Sequence, residues 1–220
     1  MNKIPYKRIN IFTGNFGSGK TEVAVNFAFH LKNMGLSTTI ADLDIVNPFF
    51  RTKDAEDSLK NVGINVIASI YANTNVDVPA VNPGVYGMLE NNDAYAVLDI
   101  GGDDLGAKAI ARFKEEILKN YYEIFFVVNA FRPFTDTVEK MENMLWEIEN
   151  SSGLKVTNIV NNSNLMHLTT QEDLLNGRKM VEEFSNKCNI PIAFETYMKN
   201  QKLTDQKYPV LTMEKFLKAI

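Results

Sequence analysis

A glycine-rich stretch near the start of the chain constrains its fold more than any other feature of the sequence. Residues 14–21 read Gly-Asn-Phe-Gly-Ser-Gly-Lys-Thr and fit the spacing G-x-x-x-x-G-K-[ST]. The stretch directly follows the apolar run 9–13 and opens a segment in which apolar residues recur at helical spacing. A strand, a tight loop and a helix in this order direct backbone N–H groups toward one point, at the positive end of the helix. The sequence therefore predicts a phosphate-binding loop.

Every residue of this loop is a candidate ligand contact. The set is Gly14, Asn15, Phe16, Gly17, Ser18, Gly19, Lys20 and Thr21. We expect the backbone N–H groups to surround the phosphates, Lys20 to reach the β and γ phosphates, and the Thr21 hydroxyl to ligate Mg²⁺. The alternative, a glycine-rich turn that binds nothing, does not account for the strand before it and the helix after it.

Strand-like and helix-like segments alternate along the rest of the chain. The strand-like runs cover residues 9–13, 38–41, 64–67, 94–100, 124–128, 156–160 and 190–194. The helical stripes are Ala24, Phe27, Ala28 and Leu31; Ile110, Phe113 and Ile117; Val138, Met141, Leu145 and Ile148; and a fourth that begins at Thr169, which has capping-box spacing to Glu172. This alternation predicts an α/β fold: a doubly wound, mainly parallel sheet with helices on both faces.

The organisation of the chain indicates one domain over residues 1–220, because no flexible linker, charge block or internal repeat interrupts it. The least regular stretch, residues 69–93, is rich in Asn, Pro and Gly. A connection of this length in a compact domain is usually a functional loop or contains a short helix. We therefore expect it to shape a pocket or a partner surface.

Composition excludes several classes of protein. The chain of 220 residues has a single cysteine, Cys188, and a formal net charge of -4. A lone cysteine forms neither an internal disulfide nor a cysteine cluster for zinc, and a net negative charge argues against binding to nucleic acid. No apolar run is long enough to span a membrane, so the expected location is cytoplasmic. The C-terminal residues Met213, Phe216, Leu217 and Ile220 have helical spacing, for which core packing is expected rather than a membrane-surface helix.

Acidic residues close two of the predicted strands. Asp42 and Asp44 end the second run, and Asp99 ends the fourth, just before the pair Gly101 and Gly102. Ligands of parallel sheets bind at these carboxyl ends, and a phosphate loop needs carboxylates nearby to position Mg²⁺ and water. We expect Asp99 to hold the metal, Asp42 and Asp44 to approach the metal and the water, and a Gly102 N–H to face the γ phosphate. The alternative is that these acids only end strands or cap helices.

These motifs together resemble the MinD/ParA/CobQ/CobB group of P-loop NTPases, which includes the nitrogenase iron protein. The resemblance rests on the order of residues 14–21, the Asp42-Leu43-Asp44 strand end followed by Asn47-Pro48 and Arg51, and a strand that closes on Asp99-Ile100-Gly101-Gly102-Asp103. It implies that Asp44 positions the attacking water and that Asp99 serves the metal. Together with the motif chemistry above, the catalytic candidates are Lys20, Asp44 and Asp42, and the metal candidates are Thr21, Asp44 and Asp99.

Two later segments match places where similar proteins contact the base. Asn129 and Arg132 follow the fifth run, and Asn161 and Asn162 follow the sixth. An amide can both donate to and accept from the edge of adenine. Neither segment reads Asn-Lys-x-Asp, the guanine-selecting pattern, so ATP is favoured over GTP. Asn at the end of a strand can also cap the next helix.

The resemblance implies a slow ATPase that binds ATP and Mg²⁺ and acts as a switch for an unidentified protein partner. A nucleotide-dependent homodimer is one form of that partnership. MinD and ParA proteins have a signature lysine just after the first loop glycine; this chain has Asn15 there and Phe16 in place of a glycine. Two alternatives stay open: an ATP-dependent small-molecule enzyme (a phosphotransferase, or a ligase like dethiobiotin or cobyrinate synthase) and a nucleotide sensor that does not hydrolyse.

Overall fold

The computed structural model describes residues 3–44, 55–67, 83–102, 104–199, 201 and 205–217, with the backbone alone at 104, 105 and 167. Within these ranges eight strands form one sheet. They are β1 (Ile9–Thr13), β2 (Thr38–Asp42), β3 (Asn65–Ile67), β4 (Tyr95–Asp99), β5 (Tyr122–Val128), β6 (Asn158–Asn161), β7 (Ile192–Met198) and β8 (Val210–Met213). All neighbours are parallel, in the order β3-β2-β4-β1-β5-β6-β7-β8.

Helices cover both faces of this sheet. They are α1 (Lys20–Asn33), α2 (Glu56–Asn61), α3 (Gly84–Glu90), α4 (Asp104–Ala111), α5 (Lys114–Leu118), α6 (Val138–Ser152) and α7 (Gln171–Cys188), with a 3-10 helix at Met166–Leu168. Side chains of α1 and α2 belong to the apolar cluster on one face, and side chains of α3 to α7 belong to the cluster on the other. The predicted α/β fold with a parallel sheet and helices on both faces is confirmed.

Burial on both faces explains why the central strands are mostly apolar. In β1, Ile9 and Ile11 face one cluster and Phe12 faces the other, and every residue of the strand is buried. The Phe12 ring stacks on Phe125 at 4.9 Å between ring centroids and meets Phe27 of α1 edge-on, also at 4.9 Å. These aromatic contacts fix α1, and with it the glycine-rich loop, over the centre of the sheet.

The sequence predicted seven of these strands and missed β8. Its residues Val210–Met213 are only four, and they alternate between partly exposed and buried positions at the sheet edge. The helical spacing of the C-terminal apolar residues does not correspond to a helix among the described residues, since Met213 ends β8 and no helix follows it there. Met213 and Leu217 are buried in the core, so the expected core packing is confirmed for these two side chains.

The second predicted helix needs correction. The stripe of Ile110, Phe113 and Ile117 was interpreted as one helix, but α4 ends at Ala111 and α5 begins at Lys114. All three stripe side chains are nevertheless buried, so the spacing identified the core face but not the break.

The expected capping box was misplaced by one residue. The box forms between Thr170 and Asp173, not between Thr169 and Glu172. The Thr169 hydroxyl instead accepts from the Leu165 N–H and donates to the Met166 carbonyl. Thr169 therefore closes the preceding 3-10 turn, and α7 begins after its neighbour.

Part of the predicted loop 69–93 is described. This part contains α3, which agrees with the expected short helix. Residues 69–82, Asn47, Pro48, Arg51, Asp103 and Ile220 lie outside the described residues. Among the residues that the structure does describe, no helix combines the length and apolar character needed to cross a bilayer.

Candidate nucleotide-binding site

The glycine-rich loop connects β1 to α1 at the carboxyl edge of the sheet. Gly19 has φ of 82°, and a Cβ atom there would lie 2.3 Å from Nδ2 of Asn162. Only glycine satisfies both the left-handed backbone and this close approach. The loop is therefore pressed against the end of β6 immediately before α1 begins.

The side chain of Asn162 holds the loop by hydrogen bonds. Its Nδ2 donates to the Ser18 carbonyl over 2.6 Å, and its Oδ1 accepts from the Thr196 hydroxyl. The Nδ2 of Asn164 also donates to the Asn162 Oδ1, over 3.0 Å. The Asn162 amide thus joins the loop to β7 and to the segment after β6. Both polar atoms of the Asn162 side chain therefore form hydrogen bonds within the protein.

Three acidic side chains surround Lys20 at this edge. Asp42 and Asp99 occupy paired positions on the neighbouring strands β2 and β4. Nζ of Lys20 contacts Oδ2 of Asp44 at 2.6 Å, with both side chains buried. The Asp44 N–H donates to Oδ1 of Asp42 over 3.0 Å. The structure therefore brings together the lysine and the acids that the sequence placed in separate segments.

The charges in this cluster shift each other's protonation. Burial and the charge of Asp99 raise the pKa of Asp42 to about 7. Burial also raises the pKa of Asp99 to about 6, against the attraction of Lys20. Burial opposes the charge of Lys20, but Asp99 and Asp44 outweigh it and raise the pKa of that ammonium. Three carboxyl groups thus face a single ammonium group, and this arrangement favours binding of an additional cation.

The raised pKa of Asp42 predicts a pH-dependent stability. An acid with a higher pKa in the folded than in the unfolded chain stabilises the fold at low pH, and this contribution is lost as pH rises from about 4 to about 7. In the presence of a metal chelator and without nucleotide, Asp42→Asn should therefore raise the Tm at pH 8 by at least about 5 °C. At pH 4.5 it should leave the Tm nearly unchanged. Differential scanning calorimetry at both pH values measures this.

The matched control is Asp57→Asn, at an exposed position of α2, which should change the Tm little at either pH. Asn at position 42 still offers an oxygen to the Asp44 N–H, so the comparison isolates the charge. Equal Tm changes for Asp42→Asn at the two pH values would contradict the assigned cause.

Buried polar atoms without partners concentrate at this site. Among the described residues, the side-chain atoms that are buried without a hydrogen-bond partner are Thr13 Oγ1, Asn15 Nδ2, Ser18 Oγ, both carboxylate oxygens of Asp99, and Arg132 Nε. All lie in the loop, beside it or on the strand next to it. Buried polar groups in native proteins are nearly always paired. Their concentration at one place indicates that this site binds a polar ligand.

A cavity of about 270 Å³ opens beside the loop. It is lined by the loop, by Lys20 and Thr21, and by Asn129, Arg132, Asn162 and Asn164. The apolar side chains of Met166, Met198, Met213 and Leu217 also line it, together with Glu22 and Lys215. Met198 and Met213 end β7 and β8, which lie beyond β5 and β6 from the loop in the order of the sheet. Polar groups at the loop and apolar side chains on the strands farther from it suit a molecule with phosphates at one end and a flat ring at the other.

The structure places most of the sequence-predicted residues around this cavity. Those lining it are Asn15, Gly17, Ser18, Gly19, Lys20, Thr21, Asn129, Arg132 and Asn162. Gly14 and Phe16 do not line it, and the Phe16 side chain is 60% exposed. Gly102 packs against the loop, since a Cβ there would lie 2.3 Å from the Gly14 carbonyl.

Asn161 is placed elsewhere. Its Nδ2 donates to Oε1 of Glu195 over 2.9 Å, and its Oδ1 accepts from the Ser163 N–H. It belongs to a buried network in which Arg178 also contacts Glu195, and it does not line the cavity. This placement gives no support to the expected contact of Asn161 with a base. Neighbouring residues of a strand point to opposite faces, which separates Asn161 from Asn162.

Sequence reasoning missed several residues of the cavity wall: Glu22, Asn164, Met166, Met198, Met213, Lys215 and Leu217. Asn164 lies two residues after Asn162 in the same Asn-rich segment, and this proximity is a usable signal. The methionines and Lys215 lie far along the chain and form no motif with the loop. Within the described ranges, no three His, Cys, Asp or Glu side chains are grouped to hold a metal ion by themselves.

Comparison with known proteins agrees with this geometry. Residues 9–174 match the family described as CbiA, the CobQ/CobB/MinD/ParA nucleotide binding domain. The chain belongs to this family. The match includes the loop, the three acids and Asn162, and it confirms the resemblance inferred from the sequence. The protein therefore contains a nucleotide-binding P-loop domain. No curated protein sequence matches the chain.

Two FtsY structures share the fold of this chain at low sequence identity. Chloroplast FtsY from Physcomitrella patens has a TM-score of 0.58 at 15% identity, over 89% of this chain and 59% of that chain. The signal recognition particle receptor FtsY from Elizabethkingia anophelis, in complex with GDP, has a TM-score of 0.53 at 14% identity, over 87% and 57%. A nucleotide-binding protein from Archaeoglobus fulgidus, in complex with ADP, has a TM-score of 0.47 at 18% identity, over 84% and 81%. This chain thus spans about three fifths of the FtsY chains.

Proposed function

We propose that the protein binds MgATP in this cavity, hydrolyses it slowly and acts as a nucleotide-dependent switch for a partner protein. The observation that carries the proposal is the set of unpartnered buried polar atoms around the loop. They include donors at Asn15, Ser18 and Arg132, which suit phosphate oxygens, and acceptors at Asp99, which suit a cation.

The residues present fit a bound Mg²⁺. The Thr21 hydroxyl and the Asp99 carboxylate would hold it, and phosphate oxygens would supply further ligands, since these side chains alone do not form a complete metal site. When bound, the ion would neutralise charge on the phosphates. Lys20 would bind the β and γ phosphates, and Asp44 would orient a water and accept its proton.

The segment after Asp99 supports the switch. Gly102 packs so closely on Gly14 that no side chain fits between them, and Asp99 itself faces Lys20 and Thr21. A change at the γ phosphate would therefore displace this segment together with the loop. The segment after Asp44, a second candidate for movement, lies outside the described residues.

The preference for ATP over GTP rests on the base end of the cavity. Asn129 and Asn164 line it, and neither belongs to the guanine-selecting pattern Asn-Lys-x-Asp. The Asn129 Oδ1 accepts from the Phe131 N–H and its Nδ2 donates to the Asn164 carbonyl. This leaves a second N–H of the Asn129 amide for a purine ring nitrogen, which adenine and guanine share. The preference for ATP therefore depends on the missing guanine-selecting pattern.

A second copy of this chain is the simplest partner for the switch. Phe16 of the loop and Phe134 after β5 are 60% and 62% exposed beside the nucleotide edge of the sheet, and exposed aromatic side chains favour protein contacts. Where MinD and ParA proteins have the signature lysine, Asn15 has a buried amide nitrogen. We therefore propose contact through apolar side chains rather than through a lysine reaching across the interface.

Light scattering during size-exclusion chromatography tests this switch. Asp44→Asn should slow hydrolysis and hold the ATP state, so this variant should form a dimer in MgATP and remain a monomer without nucleotide. Phe134→Ser in the same background should prevent the dimer while leaving ATP affinity unchanged, because Phe134 is exposed and does not line the cavity. A monomer under every condition would contradict the homodimeric switch and favour a small-molecule enzyme.

A further inference from the structure

Residues 213–217, here called the C-terminal strap, run alongside the start of α1. The Glu214 N–H donates to Oδ1 of Asn26 over 2.8 Å, and Nδ2 of Asn26 donates to the Glu214 carbonyl over 2.9 Å. The N–H groups of Phe216 and Leu217 donate to the two carboxylate oxygens of Glu22, over 2.5 and 3.2 Å. The strap backbone is thus fixed to the first two turns of α1, beginning one residue after Thr21.

Alternate side chains of the strap face the nucleotide cavity. Met213, Lys215 and Leu217 line it. The intervening side chains face away: Glu214 accepts from Lys199 Nζ over 2.8 Å, and the Phe216 ring stacks on Phe29 at 4.5 Å between ring centroids. This alternation is that of an extended chain. Lys215, which is exposed, therefore lies on the cavity side of the strap between two buried apolar residues.

Lys215 lies near the helix turn that follows the phosphate loop. Burial raises the pKa of Glu22, while the strap N–H groups and the charge of Lys215 oppose that rise. Glu22 itself lines the cavity and holds the strap backbone next to Lys215 by accepting from the N–H groups of Phe216 and Leu217. The phosphate loop has Lys20 and its own N–H groups, whereas the strap begins at the end of β8, next to β7, which ends at Met198.

We propose that Lys215 binds the nucleoside end of the nucleotide and that Asn26 is the positioning residue that keeps the strap, and thus Lys215, in place. The proposal rests on the proposed nucleotide binding. An ammonium has three donors and no acceptor, so it would contact ring nitrogens of the base or ribose oxygens. The methionine wall beside it would cover a face of the ring.

Calorimetric titration with MgATP and with magnesium tripolyphosphate tests the assignment of Lys215. Lys215→Ala should weaken ATP binding about tenfold and leave tripolyphosphate binding unchanged, because tripolyphosphate lacks the nucleoside. The matched control, Lys119→Ala, removes an exposed lysine that is not part of the cavity wall and should change neither affinity. Unchanged ATP affinity in Lys215→Ala, or an equal loss for both ligands, would overturn the proposal.

A double-mutant cycle tests the positioning role of Asn26, whose side chain is buried and does not line the cavity. Asn26→Ala should weaken ATP binding several-fold when Lys215 is present and have no further effect in Lys215→Ala, because the two changes remove one interaction. If Asn26 had a purely structural role, Asn26→Ala would lower the Tm equally in both backgrounds, and the two substitutions would weaken ATP binding by independent factors. This result would overturn the positioning role of Asn26.

The same titrations separate this inference from the proposed function. If the unaltered protein binds neither ATP nor tripolyphosphate, the proposed nucleotide function fails, and the role of Lys215 fails with it. If the unaltered protein binds both ligands and Lys215→Ala binds them equally well, only the role of Lys215 fails.

Discussion

Lys20→Ala is expected to weaken MgATP binding by at least about a hundredfold, because it removes charge-assisted hydrogen bonds to two phosphates. Titration calorimetry measures the affinity directly. A thermal shift measurement gives a second readout, since a ligand that binds only the folded state raises the Tm with its concentration. ATP should raise the Tm of the unaltered protein and not that of Lys20→Ala.

Folding must be separated from binding in this experiment, because Lys20 is the cation that faces three buried acids. Removing one member of a buried ion pair leaves an uncompensated charge and is strongly destabilising. The double variant Lys20→Ala, Asp44→Asn removes the ion pair as a unit. It should recover much of the Tm without recovering ATP binding. A double variant that binds ATP as the unaltered protein does would contradict the assigned role of Lys20.

The second large effect is expected at Asp44. Asp44→Asn should lower the rate of ATP hydrolysis about a thousandfold, because an amide cannot accept a proton from the attacking water. ATP affinity should be retained or increased, because the amide oxygen still accepts from Lys20 while the carboxylate charge that would repel the γ phosphate is gone. Single-turnover hydrolysis and titration calorimetry separate the two quantities.

Asp57→Asn serves again as the control, because it removes a carboxylate charge from an exposed position and should leave both rate and affinity unchanged. A rate for Asp44→Asn within a few-fold of the unaltered protein would show that another group positions the water. Asp42 would then be the first candidate, since its carboxylate accepts from the Asp44 N–H at the same edge.

Much of the fold was predictable because burial on both faces makes the central strands mostly apolar, and this pattern is visible locally. β1 was predicted at its observed bounds, and six further strands were predicted within a few residues. β8 was missed because a four-residue strand at the sheet edge has only two fully buried side chains. Its Met213 also falls at helical spacing from Phe216 and Leu217, and no local property distinguishes this chance spacing from a helix.

The candidate site was also predictable only in part. The loop and its helix are contiguous in sequence, so residues 14–21 could be identified from spacing alone. Which asparagine faces the loop could not be predicted, since a shift of one residue along β6 exchanges the two faces. The structure gives that position to Asn162, which contacts Ser18, and gives Asn161 to Glu195. The strap residue Lys215 lies almost the whole chain length from the loop, and no motif links the two.

The sequence by itself determined the family, the parallel α/β architecture and the identity of the phosphate loop, because each depends on residues that are neighbours along the chain. Only the tertiary structure decided how the charges balance, since Asp42, Asp44 and Asp99 meet Lys20 through strand pairing. It also decided the walls of the cavity, where the strap is held by Glu22 and Asn26. Such contacts join residues far apart in sequence, and their energies arise only once the sheet has brought those residues together.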